Sequence, residues 1–97
     1  MADVIYNTYL TELREYLKSS KDDDDNVLNM LERGHHAVME HCGVFELSDF
    51  FGKDLVFNWV RFEFNGYREH FLSSFDTEVN TLRMRLWMDG ESDAEKT

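Results

Sequence analysis

Leu55 to Phe75 reads LVFNWVRFEFNGYREHFLSSF, and whether it forms a helix or a hairpin decides the fold. Taken in twos, the stretch alternates partly, and Asn65-Gly66 between two apolar runs has the form of a type I′ hairpin turn. Taken helically, Val56, Val60, Phe64, Tyr67, Phe71 and Phe75 recur at spacings of 4, 4, 3, 4 and 4, with Leu55, Trp59 and Phe62 widening the stripe. A strand would put Asn58 on the same face as Val56, Val60, Phe62 and Phe64. A helix sends Asn58, Arg61, Arg68 and Glu69 outward or to the flanks, and it fits the longer stretch. Helix is therefore preferred. Gly66 within it costs about 1 kcal/mol relative to alanine and marks a bend, a break or a close backbone approach, so a continuous helix, a broken helix and a hairpin all stay open for Val56–Phe75.

Upstream, Asn7 to Lys18 places Tyr9 or Leu10, Leu13 and Tyr16 or Leu17 at spacings of three and four, the pattern of a three-turn amphipathic helix. SSKDDDDN, from Ser19 to Asn26, closes that helix and opens the next. Its aspartates suit the N-cap and the positive dipole end of a helix whose apolar set is Val27, Leu28, Leu31, Val38, Met39 and Cys42. Gly43 is the expected stop. Val44–Gly52 is a second break, with Ser48 or Asp49 as cap. Downstream, Asp76 or Thr77 caps Glu78–Met88, striped by Val79, Leu82 and Leu86 with Met88 as a further candidate. DGESDAEKT, Asp89–Thr97, is too polar to bury and reads as a flexible acidic tail. The expected fold is all-α, a bundle of about four helices within 1–88 followed by the 89–97 tail. The alternative is α+β, two helices packed on an antiparallel hairpin.

The chain has 97 residues, 10 Lys+Arg against 20 Asp+Glu, no proline and one cysteine. One small domain of this size must pack its core densely to offset conformational entropy, and eight Phe, four Tyr and two Trp supply more large area than a lone domain needs. The surplus, Trp87 above all, points to an interface. A net charge of −10 disfavours a protein that grips nucleic-acid phosphates, which needs clustered cations. Cys42 alone makes no internal disulfide, and the start carries no export pattern, so a reducing, intracellular setting is expected. No apolar run is long enough to cross a membrane.

Candidates for chemistry weaken on spacing. His35, His36, His41 and Cys42 cluster on one helix, but ligands sharing a helix face need spacings of three or four, and His35 to His41 is six. Asp22, Asp24 and Asn26 alternate as in a calcium loop, but no glycine stands at the sixth position and the twelfth is Arg33 in place of a bidentate glutamate. Cys42 sits at a helix C-terminus, where an anion is disfavoured. No carboxylate pair stands apart as acid and base, and no phosphate loop or nucleophile motif is present. No catalytic, cofactor or metal residues are assigned.

Three segments in order, VIYNTYLTELREYLKSS, DDDDNVLNMLERGHHAVMEHCG and DLVFNWVRFEFNGYREHFLSSFDTEVNTLRMRL, resemble the small head–tail connector, adaptor or head-completion proteins of long-tailed bacteriophages. The resemblance runs over about residues 3–88. It lies in a short first helix, an acidic loop, a multi-Asp helix start ending in a Cys-Gly turn, a long aromatic segment and a final leucine-spaced one. It implies an all-α virion structural protein at the head–tail interface, assembled in the host bacterial cytoplasm. Such a protein forms a ring of about twelve copies by heterologous contacts, docks on the portal protein and receives the stopper or tail-completion protein on its other side. The segment near the C-terminus is then the portal or subunit interface, with Leu82, Arg83, Arg85, Leu86, Trp87 and Met88 as candidates. Asp22, Asp23, Asp24, Asp25 and Glu40 are candidates to face the channel, where carboxylates let DNA slide past without specific binding. A second class is a small acidic inhibitor, a DNA mimic or immunity-type protein, that neutralises a basic nuclease.

Overall fold

The computed structural model describes the backbone of residues 2–96 and the side chains of residues 6–88. Four α-helices carry the chain: α1 (Ala2–Leu17), α2 (Asp24–Cys42), α3 (Phe50–Phe64) and α4 (Phe71–Lys96). Short 3-10 turns, Lys21–Asp23 and Arg68–His70, lead into α2 and α4. There is no strand among the described residues, so the domain is an all-α bundle and the α+β alternative falls. The expectation of a flexible tail over 89–97 concerns residues whose side chains lie outside the described set.

The deciding stretch is a broken helix. α3 ends at Asn65, where the Gly66 amide donates to the Glu63 carbonyl and the Tyr67 amide to the Phe62 carbonyl. This crossed pair is a Schellman cap, which needs a left-handed residue after the last helical turn. Gly66, at φ +81°, supplies it without a Cβ penalty. The Asn-Gly step thus serves as a helix stop instead of a hairpin turn. The break resets the phase: Tyr67, counted in the apolar stripe from sequence, is exposed, whereas Phe71 is buried and stacks on Phe75 with ring centroids 5.1 Å apart. Phe75 itself has non-helical φ/ψ, so α4 kinks there, just before Thr77.

α1 ends in the same motif. Ser19 N–H donates to the Arg14 carbonyl and Lys18 N–H to Glu15, with Lys18 left-handed at φ +58°. Asp23 stands at the N-cap of α2 but makes no side-chain cap bond. Ser20 Oγ caps the preceding 3-10 turn instead, accepting from the Asp22 amide at 3.2 Å, while Asp24 is held in two bonds by Arg14, at 2.9 and 2.7 Å. Gly43 stops α2 at φ +111°, and Asp49 caps α3 by accepting from the Gly52 amide at 3.0 Å.

α3 lies at the centre, packed against α2, α4 and α1. Every residue from Leu55 to Val60 is buried in consequence. Asn58, read from sequence as outward, is buried with them. Its amide donates to the Asp54 carbonyl at 2.8 Å, and its oxygen accepts from Tyr16 Oη and Arg61 Nη2 at 2.9 and 3.0 Å. Polar groups enter a helical core at little cost when their bonding capacity is filled. Leu13, Leu31, Leu55 and Leu82, one from each helix, meet in the fully buried centre, each contributing about 1.5–3 kcal/mol of transfer free energy.

Candidate interaction surface

α4 presents two faces. Val79, Leu82 and Leu86 turn inward, and Cys42 Sγ–H of α2 donates to the Val79 carbonyl at 3.4 Å. The opposite side carries Thr77, Thr81, Met84 and Met88, which with Asn80 and Arg85 line a shallow open groove of about 630 Å³. Met84 and Met88 are more than half exposed, and Trp87 is 62% exposed. In so small a domain, three large exposed apolar side chains within five positions make an unsatisfied surface.

A second apolar surface lies at the corner between α2 and α3. Val44 is 86% and Phe50 81% exposed, with Phe51 beside them at the edge. Here the chain folds onto α4 through Arg85, whose Nη2 donates to Asp49 Oδ2 and whose guanidinium lies 5.9 Å from the Phe51 ring centroid. The Arg85 hydrogen bond, helped by the Gly52 and Phe51 amides, holds the Asp49 carboxyl below its ordinary range against the opposing effect of burial. Asp49 therefore both caps α3 and ties α4 to the corner. Lys53 fastens the same corner to α1, donating to both Glu12 carboxylate oxygens at 3.1 and 2.8 Å beneath the rings of Tyr9, Phe50 and Phe57.

The residues singled out near the C-terminus separate on this framework. Leu82 belongs to the core and is unavailable to a partner, and Leu86 is partly buried against it. Arg83, Arg85, Trp87 and Met88 are exposed. They do not share one face, because residues two apart on a helix point to different sides. Arg83 shares a flank with Trp87, and Arg85 lies on the other flank beside the groove. Arg83 donates to Asn80 Oδ1 within its own helix.

The acidic candidates also divide. Asp22, Asp23 and Asp25 are exposed, but Asp24 is half-buried and its hydrogen bonds from Arg14 hold its carboxyl low. Glu40 is exposed near the far end of α2. Fifteen residues of helix, roughly 22 Å, separate it from Asp25, so these carboxylates do not make one compact patch.

The histidines do not converge on a metal, and no group of three or more His, Cys, Asp or Glu suited to a metal ion occurs among the described residues. His36 and His41 are exposed, whereas His35 is buried between Tyr6 and Phe45. His35 Nε2 lies 2.8 Å from the Phe45 carbonyl, which can only accept, so Nε2 carries the proton. Nδ1 then accepts from the Tyr6 hydroxyl at 3.0 Å. Burial lowers the His35 pKa and raises that of Tyr6, with Glu32 adding to the latter. Burial likewise pushes the Cys42 thiol up, which suits a core residue and opposes a nucleophile.

Two features escaped the sequence: the exposed corner Val44/Phe50 and the Tyr6–His35–Phe45 chain. The first had a signal, since VFELSDFFG places five apolar side chains in a break too short to bury all of them. The second had none, because residues 29 and 10 positions apart meet only through packing. Compared with protein-family models, with curated proteins and with solved structures, the chain matches none.

Proposed function

We propose that this chain is a non-enzymatic structural protein of a tailed-phage virion, an adaptor that assembles as a ring between the portal and the stopper or tail and extends the DNA channel. The observation that carries the reading is the presence of two apolar surfaces on different elements, Val44/Phe50 at the α2–α3 corner and Met84/Trp87/Met88 on α4. A closed ring needs two different patches on each subunit, so that one docks into the other around the circle. The acidic excess fits a channel wall past which DNA phosphates slide, because Asp22 and Asp23 of the 3-10 turn and Asp25 in the first turn of α2 are exposed while core packing lies elsewhere.

The competing inhibitor of a basic nuclease needs a broad face of bare carboxylates. Glu12, Asp24, Asp49 and Glu63 are instead engaged by Lys53, Arg14, Arg85 and the Arg33/Arg68 pair. The test is the mass of the purified protein by light scattering over a wide concentration range, with and without a matched portal ring. Assembly into a ring, alone or on the portal, supports the adaptor. A chain that ignores the portal and binds a basic nuclease in a salt-sensitive manner overturns it.

A further inference from the structure

The outer face of α4 has the spacing of a helix-pairing seam. Thr77, Thr81, Met84 and Met88 follow at intervals of 4, 3 and 4, which is the a/d alternation of a heptad. Asn80 and Trp87 flank the seam on one side, Glu78 and Arg85 on the other. Nothing else in the described chain covers it, since Val79, Leu82 and Leu86 take the inward face.

We infer that this face pairs with the same face of a second copy, antiparallel about a two-fold axis between Thr81 and Met84, with Glu78 of each copy opposite Arg85 of the other. Charge order selects this occupant. In an antiparallel helix pair the same flank of each helix meets its counterpart, and seven-residue spacing brings position 78 against position 85. The flank offers one acid and one base there, so the two-fold operation creates two opposite-charge contacts at once. Thr81 then faces Met84 across the axis and Thr77 faces Met88, a small residue against a large one in each layer. Arg85 keeps its bond to Asp49 through Nη2, and Glu78 of the second copy approaches the same guanidinium as an added charge contact.

The seam is three turns long, about 16 Å, and buries less than the roughly 1,200 Å² of a standard interface. The pair is therefore weak and concentration-dependent, and repulsion between two chains of net charge −10 opposes it. The inference does not rest on the adaptor reading, and the two contacts compete for Met84 and Met88: a ring docks that patch on a different one, whereas this contact uses it twice.

The experiment is sedimentation equilibrium on the full chain, its E78R and R85E variants, and their equimolar mixture. The expected result is a monomer–dimer equilibrium in the parent, weakened about tenfold or more in each variant alone and restored in the mixture, where every 78–85 contact is again of opposite charge. E78R is informative by itself. It lowers the net charge, so general repulsion predicts stronger association while the seam predicts weaker. Self-association of E78R equal to or above the parent overturns the proposal, as does a parent that stays monomeric up to about 1 mM. R85E also loses the Asp49 contact; should circular dichroism show it misfolded, Met84→Asp takes its place, and dimerisation that survives Met84→Asp overturns the seam. A failed portal assay leaves this outcome untouched, because the dimer is read without any portal.

Discussion

His35 concentrates the pH response of the molecule. Its neutral form is fixed by a carbonyl that accepts at Nε2 and a hydroxyl that donates at Nδ1, and a protonated ring would force the Tyr6 hydroxyl to turn away. Glu32 near Tyr6 and His36 beside His35 are the titratable groups with an electrostatic effect on the pair. Because burial lowers the folded pKa below the ordinary 6.5, the unfolded chain binds the extra proton first as pH falls. Stability is therefore complete above about pH 6.5, declines as pH drops through the lowered folded value, and levels beneath it. Thermal melts between about pH 8 and pH 5 should show this decline, and His35→Gln, which cannot titrate there, should flatten it while lowering Tm throughout. Asp24 and Asp49, whose carboxyls lie below the ordinary 3.8, lose their contributions only in more acidic solution, so the His35 decline begins first as pH falls. A second residue-scale outcome follows from Lys18, a side-chain-bearing residue at φ +58° where Gly66 shows the usual solution. Lys18→Gly should stabilise the domain by about 0.5–1 kcal/mol, relief of the left-handed strain exceeding the entropy glycine adds to the unfolded chain. Denaturant melts in which Lys18→Gly is less stable than the parent would contradict that account.

Among the elements, the α2–α3 contact is the tightest and depends on Gly34. A Cβ built there would stand 2.8 Å from Trp59 Cε3, inside the closest distance such atoms tolerate, and 3.3 Å from Val60 Cγ2, a tight contact. The indole is buried among core neighbours, so it has little room to give. Gly34→Ala should cost about 1–3 kcal/mol despite alanine's better helix propensity, and an unchanged or raised Tm would show that the helices separate easily. This element also illustrates what was legible in the sequence. The stripe Val27, Leu31, Val38 and Cys42 has one period and one inward face, so α2 could be read directly. α3 could be read as a helix, but its burial on nearly all sides could not: period reports one apolar face, and Asn58 was read as outward or flanking because Tyr16, 42 positions away, meets it only through packing. Gly66 was legible as a break, though its form was decided by the carbonyls of Phe62 and Glu63, which a helix leaves open and a hairpin does not. On α4, Trp87 was recognised as surplus, while Leu82 was assigned to a partner from position alone although its spacing with Val79 and Leu86 already marked it as core.

For the whole molecule, charge is the property that sets its dealings with everything else. Twenty acids against ten bases leave a surplus that the near-surface ion pairs among the described residues cannot offset, each worth about 0–1 kcal/mol. The folded state crowds these charges together and the unfolded chain spreads them, so mutual repulsion works against folding at neutral pH. Added salt screens both the repulsion and the ion pairs, but the repulsive pairs are more numerous and act over longer distances, where screening is most effective. Raising NaCl from about 10 mM to about 0.3 M should therefore increase Tm by a few degrees, measured near pH 8 so that His35 stays neutral in both states. A falling Tm would mean that Arg14–Asp24, Lys53–Glu12 and Asp49–Arg85 contribute more to stability than the surplus removes. Low salt is also where the surplus bears on nucleic acid. Duplex DNA should pass the free protein unretarded even at about 10 mM NaCl, the condition most favourable to phosphate contacts, since no described face gathers enough cations to release its counterions. Retardation there would remove the physical basis for a channel wall past which DNA slides.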